Sequence, residues 1–460
     1  MPKPSSHLDD VLAGLLARRQ SRNRLRRLTT VPPGTADFSS NGYLSLSSHP
    51  DVRRAYLSRL QSHDAADNNT PNLGLLGSGG SRLLDGNSVL AESLERRIAD
   101  FHHAADGLLF NSATEANLGL FGCVPQPGDV VVYDELIHAS VHDGLRLSRA
   151  GRRVPFAHNR VYDDRGKGNE KSAVATKELK SLEAVLRDLQ ECSEGRLVRE
   201  GQRNVFVAVE GVYSMDGDLA HLVDIVECVE RFLPRGNGYI IVDEAHSTGI
   251  FGDKGRGLVC ELGLEDRIWA RVHGFGKAMG CSGGIVLCSP TTRSYLINYA
   301  RSLIYTTSLA FTSLASIEVT YDFLASGRAD PLICHLREIS SHAYNLIASI
   351  LLRHHPSPIL LRLNADKPKS PIIPLFTSHP RSLAQHCQQS GFMVRPIVAP
   401  TVPEGRERVR ICLHAGNTFE EIEGLGRAVE AWVLGWEEIS GDTGRGSSAS
   451  GEAKVEKARL

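Results

Sequence analysis

A lysine and an aspartate, each placed directly after a β-rich run, are the residues of this sequence best suited to chemistry. Asp243 ends a hydrophobic run that begins at Tyr239, and Lys277 lies among glycines shortly after the run 268–272. Open α/β sheets bind their ligands at the carboxyl ends of strands. If the two runs are neighbouring strands, an amine and a carboxylate face the same ligand. His246, one turn beyond Asp243, is a third candidate.

Pyridoxal 5′-phosphate (PLP) is a ligand that requires such a pair. A lysine binds its aldehyde as a Schiff base, and a carboxylate keeps its ring nitrogen protonated so that the ring accepts electrons. Alone, the Asp243 carboxylate could instead cap the following helix. The letters DEAH at 243–246 also occur in helicases, but the GxxxxGK[ST] phosphate loop that helicases need is absent from the sequence. The glycine-rich stretch 77–81 is not a GxGxxG motif, which argues against a nicotinamide cofactor.

Short β-rich runs that alternate with helical patterns must position these residues. The runs are apolar on both faces, as buried strands of a largely parallel sheet are. They lie at 130–133, 205–209, 239–242 and 284–287. A covering helix is predicted after a cap at Asn87 or Ser88, because Leu90, Leu94 and Ile98 form one apolar stripe. The predicted fold class is therefore α/β.

Changes in composition divide the chain. Residues 1–60 are predicted to be a helical, basic N-terminal segment, and residues 61–310 a large ligand-binding domain. A charged stretch at about 158–202 interrupts that domain, and we interpret it as a surface insertion with a helix near 182–189. Residues 311–438 are predicted to form a smaller α+β domain, and the Gly- and Ser-rich residues 439–460 a disordered tail.

The composition excludes several classes of function. The 460 residues carry 52 Lys and Arg against 53 Asp and Glu, a formal charge of −1, which gives no reason to bind nucleic acid. No uninterrupted apolar run approaches the roughly 20 residues that a membrane span needs. The nine cysteines include no CxxC pair, so neither a disulfide framework nor a metal site is predicted. Asp9 and Asp10 argue against interpreting the arginine-rich N-terminus as a mitochondrial presequence.

Nine motifs in a fixed order carry a family resemblance. They lie at 41–44 (NGYL), 77–84 (GSGGSRLL), 134–140 (DELIHAS), 210–218 (EGVYSMDGD), 243–246 (DEAH), 275–278 (FGKA), 305–308 (YTTS), 400–403 (PTVP) and 408–410 (RVR). From about residue 8 to residue 436 the chain resembles the α-oxoamine synthases of the fold-type I PLP enzymes. It is most similar to the branch that forms 8-amino-7-oxononanoate. The resemblance implies a largely parallel, seven-stranded central sheet with a smaller α+β C-terminal domain.

The resemblance also implies roles for residues around the cofactor. Lys277 would bind PLP covalently and later move protons at the substrate α-carbon. Asp243 would pair with the ring nitrogen, where opposite charges favour one another. His138 would stack on the ring, and His246 and Ser214 would hydrogen-bond around the ring hydroxyl. No resident metal is implied.

Four further residues match positions that bind substrate or lie close to them. Arg410 would clamp the carboxylate of an amino acid, to which a planar guanidinium is suited. Arg408 is expected on the opposite face of that segment, in a structural role. Arg26, which lies within a run of arginines, and Thr401 match substrate-contacting positions of the family.

Thr306 and Thr307 match positions that reach the phosphate of the neighbouring subunit. The implied assembly is a homodimer with shared active sites.

The phosphate site departs from the family pattern. Ala113 and Thr114 stand where relatives have a glycine followed by an aromatic or similar residue. Backbone N–H groups at a helix start bind phosphate whatever the side chain, so we expect both residues to bind the cofactor. If the family glycine has a positive φ, Ala113 is strained. Gly274 replaces a common phosphate-binding threonine, and losing that bond would cost about 1.5–3 kcal/mol unless Thr114 replaces it.

The predicted reaction is the decarboxylative condensation of L-alanine with pimeloyl-CoA, which gives 8-amino-7-oxononanoate, CoA and CO2 in biotin synthesis. Three alternatives remain open at this point. They are another α-oxoamine synthase with a different amino acid or acyl-CoA, a PLP aminotransferase, and a catalytically inactive partner subunit. The chain ends in Ala458-Arg459-Leu460, which is similar to the SKL peroxisomal signal. We therefore expect a peroxisomal location, and otherwise a cytoplasmic one.

Overall fold

The fold is that of a computed structural model, which describes residues 6–22, 24–66, 74–163, 179–193 and 195–443. The strands within this part of the chain are β1 (Ala36–Asp37), β2 (Asp106–Phe110), β3 (Val130–Asp134), β4 (Arg152–Phe156), β5 (Val205–Glu210), β6 (Gly238–Asp243), β7 (Ala270–Gly274), β8 (Gly284–Cys288), β9 (Ile372–Phe376), β10 (Phe392–Met393), β11 (Arg395–Ile397) and β12 (Arg408–Cys412).

Helices cover and connect these strands. In chain order they are α1 (His7–Ser21), α2 (Pro50–Ala66), α3 (Val89–Phe101), α4 (Ala113–Cys123), α5 (Ala139–Leu147), α6 (Leu182–Glu191), α7 (Gly195–Arg199), α8 (Leu222–Phe232), α9 (Leu258–Glu261), α10 (Pro290–Tyr299), α11 (Arg301–Ile304), α12 (Phe311–Ala325), α13 (Asp330–His354), α14 (Pro380–Gln389) and α15 (Phe419–Thr443). The predicted cap is confirmed at Ser88, whose side chain accepts the N–H of Ala91.

The central sheet has seven strands in the order β2-β8-β7-β6-β5-β3-β4. Its neighbours pair in parallel from β7 to β4, and β8 runs antiparallel to both β7 and β2. Strands β5, β7 and β8 are buried along their whole length, which explains why their sequences are apolar on both faces. The predicted α/β class and largely parallel seven-stranded sheet are confirmed.

The parallel register places the site. Asp134, Glu210 and Asp243 are the last residues of β3, β5 and β6, and Glu210 pairs directly with Asp243 across the sheet. Gly274 ends β7, next to β6. Because parallel strands end at one edge, three carboxylates and the loop that carries Lys277 meet there.

The C-terminal part forms a smaller α+β layer. Strands β11, β12 and β9 make an antiparallel sheet beside α13, α14 and α15. The N-terminal segment joins this layer, since β1 pairs with β10. Helix α15 continues to Thr443, beyond the predicted domain end at residue 438, and the rest of the predicted tail lies outside the described residues.

The segment predicted as an insertion contains packed structure. Leu182, Val185, Leu186 and Leu189 form the buried face of α6, which packs against α8. The charged residues 164–178 lie outside the described residues. None of the described helices combines the length and apolar character that crossing a bilayer requires. The described residues likewise contain no group of three His, Cys, Asp or Glu side chains that could hold a metal ion.

A buried ion cluster fixes the glycine-rich loop to the sheet. The Glu95 side chain on α3 is 1 % exposed and accepts from Arg82 at 2.6 Å and from Arg293 at 2.8 Å. It also accepts the backbone N–H of Leu109 on β2 at 2.8 Å. Removing one member of such a cluster leaves buried charges unpaired, which is costly.

We expect Glu95→Ala to lower the free energy of unfolding by about 3–5 kcal/mol, because two partly buried guanidinium groups lose their shared carboxylate. Glu404→Ala is the matched control, since the Glu404 side chain is 77 % exposed and pairs with Arg24 at the surface. It should cost only about 0–1 kcal/mol. Denaturant unfolding of both variants measures the difference, and equal losses would contradict the role of Glu95.

Candidate active site

Two donors fix the carboxylate of Asp243. Its Oδ2 accepts from Nδ2 of Asn117 on α4 at 2.7 Å, and its Oδ1 accepts the N–H of Ala245 at 2.9 Å. The residue is 7 % exposed. A buried carboxylate with two donors is an oriented acceptor, which is what a protonated ring nitrogen requires.

Lys277 lies in the turn that follows β7, beside the end of β6. Burial lowers the pKa of Lys277, while the nearby charges of Asp243 and Glu210 oppose that shift. Its amine makes no hydrogen bond or ion pair with any residue that the structure describes. The structure thus brings together the amine and the carboxylate that the sequence singled out, and the lowered pKa favours the neutral, nucleophilic amine.

A short network joins Asp243 to His138. Asn117 also donates to the hydroxyl of Ser140 at 3.0 Å, and that hydroxyl lies 2.7 Å from Nδ1 of His138. The backbone N–H of Ser140 points to the same ring nitrogen at 3.2 Å, so Nδ1 is an acceptor and the proton belongs on Nε2. The surrounding protein desolvates His138 and lowers its pKa, although part of the ring stays open to solvent.

His246 is held by a tyrosine from the N-terminal segment. The hydroxyl of Tyr43, which is fully buried, lies 2.8 Å from Nδ1 of His246. Burial lowers the pKa of His246 well below its usual range and raises the pKa of Tyr43 well above its own. Both side chains are therefore neutral, and one hydrogen bond joins them.

Arg410 reaches the same edge from strand β12. Its guanidinium donates to the carbonyl of Ser214 at 3.0 Å, and to Oδ1 of Asn41 at 3.1 Å. Arg408 donates to Met215 in the same turn, at 3.1 Å. The expectation that Arg408 points to the opposite face was wrong, because residues two apart in a strand share a face. Its structural role fits its 1 % exposure.

The two departures at the phosphate site are neighbours in space. Ala113 is the first residue of α4 and is not among the residues with positive φ, so it is not strained in the way the family glycine implied. A Cβ added at Gly274 would lie 3.1 Å from the Cβ of Ala113 and 3.0 Å from that of Ala245. The methyl group of Ala113 thus fills room that a side chain at 274 would need. The first N–H groups of α4, including that of Thr114, have no intrahelical partner and can bind an anion.

The remaining predicted residues make no hydrogen bond to Lys277, Asp243, His138 or His246 within the described part of the chain. Thr306 Oγ1 accepts from Asn111 at 3.2 Å, and the carbonyl of Thr307 accepts from the same amide at 2.8 Å. Arg26 and Thr401 are exposed, and within the described chain neither side chain makes a hydrogen bond or ion pair. Within the described residues, therefore, no polar side-chain contact links these two to the other predicted residues.

Three residues that complete the site were not predicted as site residues. Asn117 orients Asp243, Tyr43 holds His246, and Glu210 lies beside Asp243 with 3 % exposure. Burial first, and then the charge of Asp243, raise the pKa of Glu210 well above its usual range. Tyr43 and Glu210 belong to the family motifs, and Asn117 lies shortly after Thr114. Their contacts could not be predicted from the sequence, because Asp243 lies 126 positions from Asn117 and His246 lies 203 positions from Tyr43.

The residues present fit PLP. An oriented buried carboxylate, a buried amine of lowered pKa, an open imidazole face and a helix start lie at one sheet edge. Together they match the ring nitrogen, the aldehyde, the ring face and the phosphate of that cofactor. Fold and site therefore define a fold-type I PLP enzyme.

Comparison with known proteins agrees with this class. The model of the family "aminotransferase class I and II" matches residues 34–429. An 8-amino-7-oxononanoate synthase of Emericella nidulans is 49 % identical over 426 residues, covering 93 % of this chain and 96 % of the relative. The aminoacyl transferase sphA of Aspergillus fumigatus is 34 % identical over 420 residues, covering 89 % and 83 %.

Solved structures share the fold. Serine palmitoyltransferase of Sphingomonas wittichii superposes with a TM-score of 0.72 at 24 % identity, over 94 % of this chain and 98 % of that one. An 8-amino-7-oxononanoate synthase of Francisella tularensis gives 0.61 at 22 % identity, over 89 % and 99 %. The chain belongs to the aminotransferase class I and II family. It is an enzyme whose cofactor is PLP, and the resemblance to the α-oxoamine synthases is confirmed.

The close approach of Ala113 to Gly274 leads to a prediction about stability. Gly274→Ala should lower the free energy of unfolding by about 1–3 kcal/mol, because the new Cβ crowds the methyl groups of buried Ala245 and half-buried Ala113. Ala113→Gly in the same chain should recover part of that loss by removing one of them. Thermal unfolding of the single and double variants measures both effects.

Gly276→Ala is the control for this prediction. A Cβ at 276 would meet only the Cys281 carbonyl, at an ordinary 3.6 Å, so its unfolding temperature should stay near that of the unchanged protein. A Gly274→Ala protein as stable as Gly276→Ala would show that the two departures are not coupled.

Proposed function

We propose that this chain catalyses the decarboxylative condensation of L-alanine with pimeloyl-CoA, giving 8-amino-7-oxononanoate, CoA and CO2 in biotin synthesis. The single observation that carries the proposal is that the Lys277 amine and the Asp243 carboxylate lie at the same sheet edge, close enough for their charges to interact. Its substrates are inferred from the 49 % identity to an 8-amino-7-oxononanoate synthase.

The chain's own residues account for the steps. PLP, when bound, supplies an electron sink for the substrate α-carbon. Lys277 takes the α-proton of alanine and later returns a proton to the product. The α-carbon bonds to the thioester carbonyl carbon, and CoA leaves as the C–S bond breaks. The bond between the α-carbon and the carboxylate then breaks to release CO2, and the α-carbon takes up the proton that Lys277 returns. Arg410 binds that carboxylate before it departs, and Asn41 and Ser214 hold the guanidinium in place.

The assay is alanine-dependent release of CoA from pimeloyl-CoA by the PLP-loaded protein. Lys277→Ala should lower the rate by at least about 10²- to 10⁴-fold, because it removes both the general base and the covalent attachment. Lys367→Ala, which alters an exposed lysine, is the control and should leave the rate unchanged. No CoA release by a protein with bound cofactor would reject the alanine–pimeloyl-CoA assignment.

A panel of substrates separates the alternatives. The panel includes glycine and serine with other acyl-CoA chains, and the 34 % identity to an aminoacyl transferase supports testing substrates beyond alanine and pimeloyl-CoA. Amino transfer to a keto acid without any thioester would favour an aminotransferase. A protein that stays colourless after PLP is added would favour an inactive partner subunit, which the buried Lys277 amine of lowered pKa argues against.

A homodimer with shared active sites belongs to this proposal. Helix α1 has no buried residue, yet it carries an apolar stripe at helical spacing: Leu8, Val11, Leu12, Leu15 and Leu16. Leu84 and Tyr305, near Thr306 and Thr307, are 75 % and 72 % exposed. A second copy that covers these side chains would remove them from water. Sedimentation of the protein at the mass of a single chain would contradict the dimer.

We also propose import into peroxisomes through Ala458-Arg459-Leu460, which lie outside the described residues. The sequence similarity to the SKL signal is the support for this location. A fluorescent fusion that keeps these three residues at its end should enter peroxisomes, whereas a fusion without them should stay in the cytoplasm. An identical distribution of the two would contradict the signal.

A further inference from the structure

A histidine behind the site has a carboxylate on each ring nitrogen. Nδ1 of His158 lies 2.9 Å from Oδ1 of Asp134, and Nε2 lies 2.8 Å from Oδ2 of Asp218. Both oxygens already accept other N–H groups, from Leu136 at 2.9 Å and from the side chain of Asn159 at 2.7 Å. A neutral imidazole has only one N–H, so two carboxylate partners require the imidazolium form.

The two carboxylates belong to different turns. Asp134 ends β3, and by accepting the N–H of Leu136 it begins the turn that leads to His138. Asp218 closes the turn after β5, where its carbonyl accepts the N–H of Tyr213 at 3.0 Å. That second turn contains Ser214, whose carbonyl holds Arg410. One ring therefore spans two loops that both face the cofactor site.

We propose that His158 is a positioning residue whose imidazolium ties the His138 turn to the Ser214 turn and so fixes both at the cofactor site. His158 touches neither of these two residues, and it acts through Asp134 and Asp218. The inference rests on PLP binding at this site, and it is independent of which amino acid and acyl-CoA react.

The charges around the His158 ring set the pH range over which the ring stays protonated. Burial alone lowers the pKa of His158, but the hydrogen bonds and charges of Asp134 and Asp218 outweigh it and raise the pKa to about 10. The Tyr213 ring lies edge-on at 4.5 Å, and Glu135 accepts the His158 backbone N–H. Because the folded pKa is raised, the stabilisation is complete below about pH 6.5 and is lost as the pH rises through about 10.

The test compares His158→Asn with His354→Asn in the PLP-loaded protein. His158→Asn should raise the dissociation constant of PLP by about ten- to a hundredfold and weaken the visible circular dichroism of the bound cofactor. His354 is the matched control, because its ring lies 2.6 Å from the Glu430 carboxylate at similar exposure but in the small domain. Its variant should leave both readouts unchanged. Unchanged values for His158→Asn would overturn the proposal.

A second measurement keeps His158 in place, so it tests the proposal even if the His158→Asn protein does not fold. In protein labelled with ¹⁵N-histidine, the His158 ring should remain an imidazolium at about pH 8, and Asp218→Asn should lower its pKa and identify the signal. A His158 ring that titrates near the ordinary pKa of about 6.5 would overturn the proposal. Neither readout uses substrate. Absence of the alanine–pimeloyl-CoA reaction would therefore reject the proposed function, but the role of His158 would still be tested.

Discussion

The site depends on holding one basic and two acidic side chains together where little water reaches them. Lys277, Asp243 and Glu210 meet at the ends of three adjacent strands, where burial lowers the pKa of Lys277 and raises that of Glu210. Asp243 differs from the other two because Asn117 and Ala245 donate hydrogen bonds to its carboxylate. Burial shifts the other two toward neutrality, a neutral amine and a neutral carboxyl. Backbone topology thus creates the charge distribution that the cofactor chemistry needs.

Residues that follow buried strands are predictable from the sequence. A strand apolar on both faces is a local signal, and the parallel sheet carries its last residue to a common edge. The hydrophobic run that ends at Asp243 and the run that precedes Lys277 are two such signals, and they suffice to place both residues at one site. The seven-stranded architecture is implied only by the family resemblance, since no periodicity fixes the order in which strands pair.

Contacts between distant segments are not predictable in the same way. The methyl group of Ala113 accounts for the missing side chain at Gly274, yet the two positions are far apart in sequence and only their distance in space connects them. The charge of the segment that begins at His158 favours a surface insertion, because charged residues are usually solvated. The segment nevertheless contains two packed features, the His158 ring between its carboxylates and the apolar face of α6.

The histidines His138, His158 and His246 show how partners decide what a side chain does. His246 has a neutral hydroxyl as its partner, and His138 is held by a hydroxyl and a backbone N–H, so desolvation lowers the pKa of both rings. His158 is also surrounded by protein, but its two carboxylates reverse the direction of the shift. An additional positive charge beside Lys277 would favour the neutral amine further but would compete for Asp243. Placing the charged ring behind the turns, and neutral rings toward the cofactor, leaves Asp243 free to pair with the ring nitrogen.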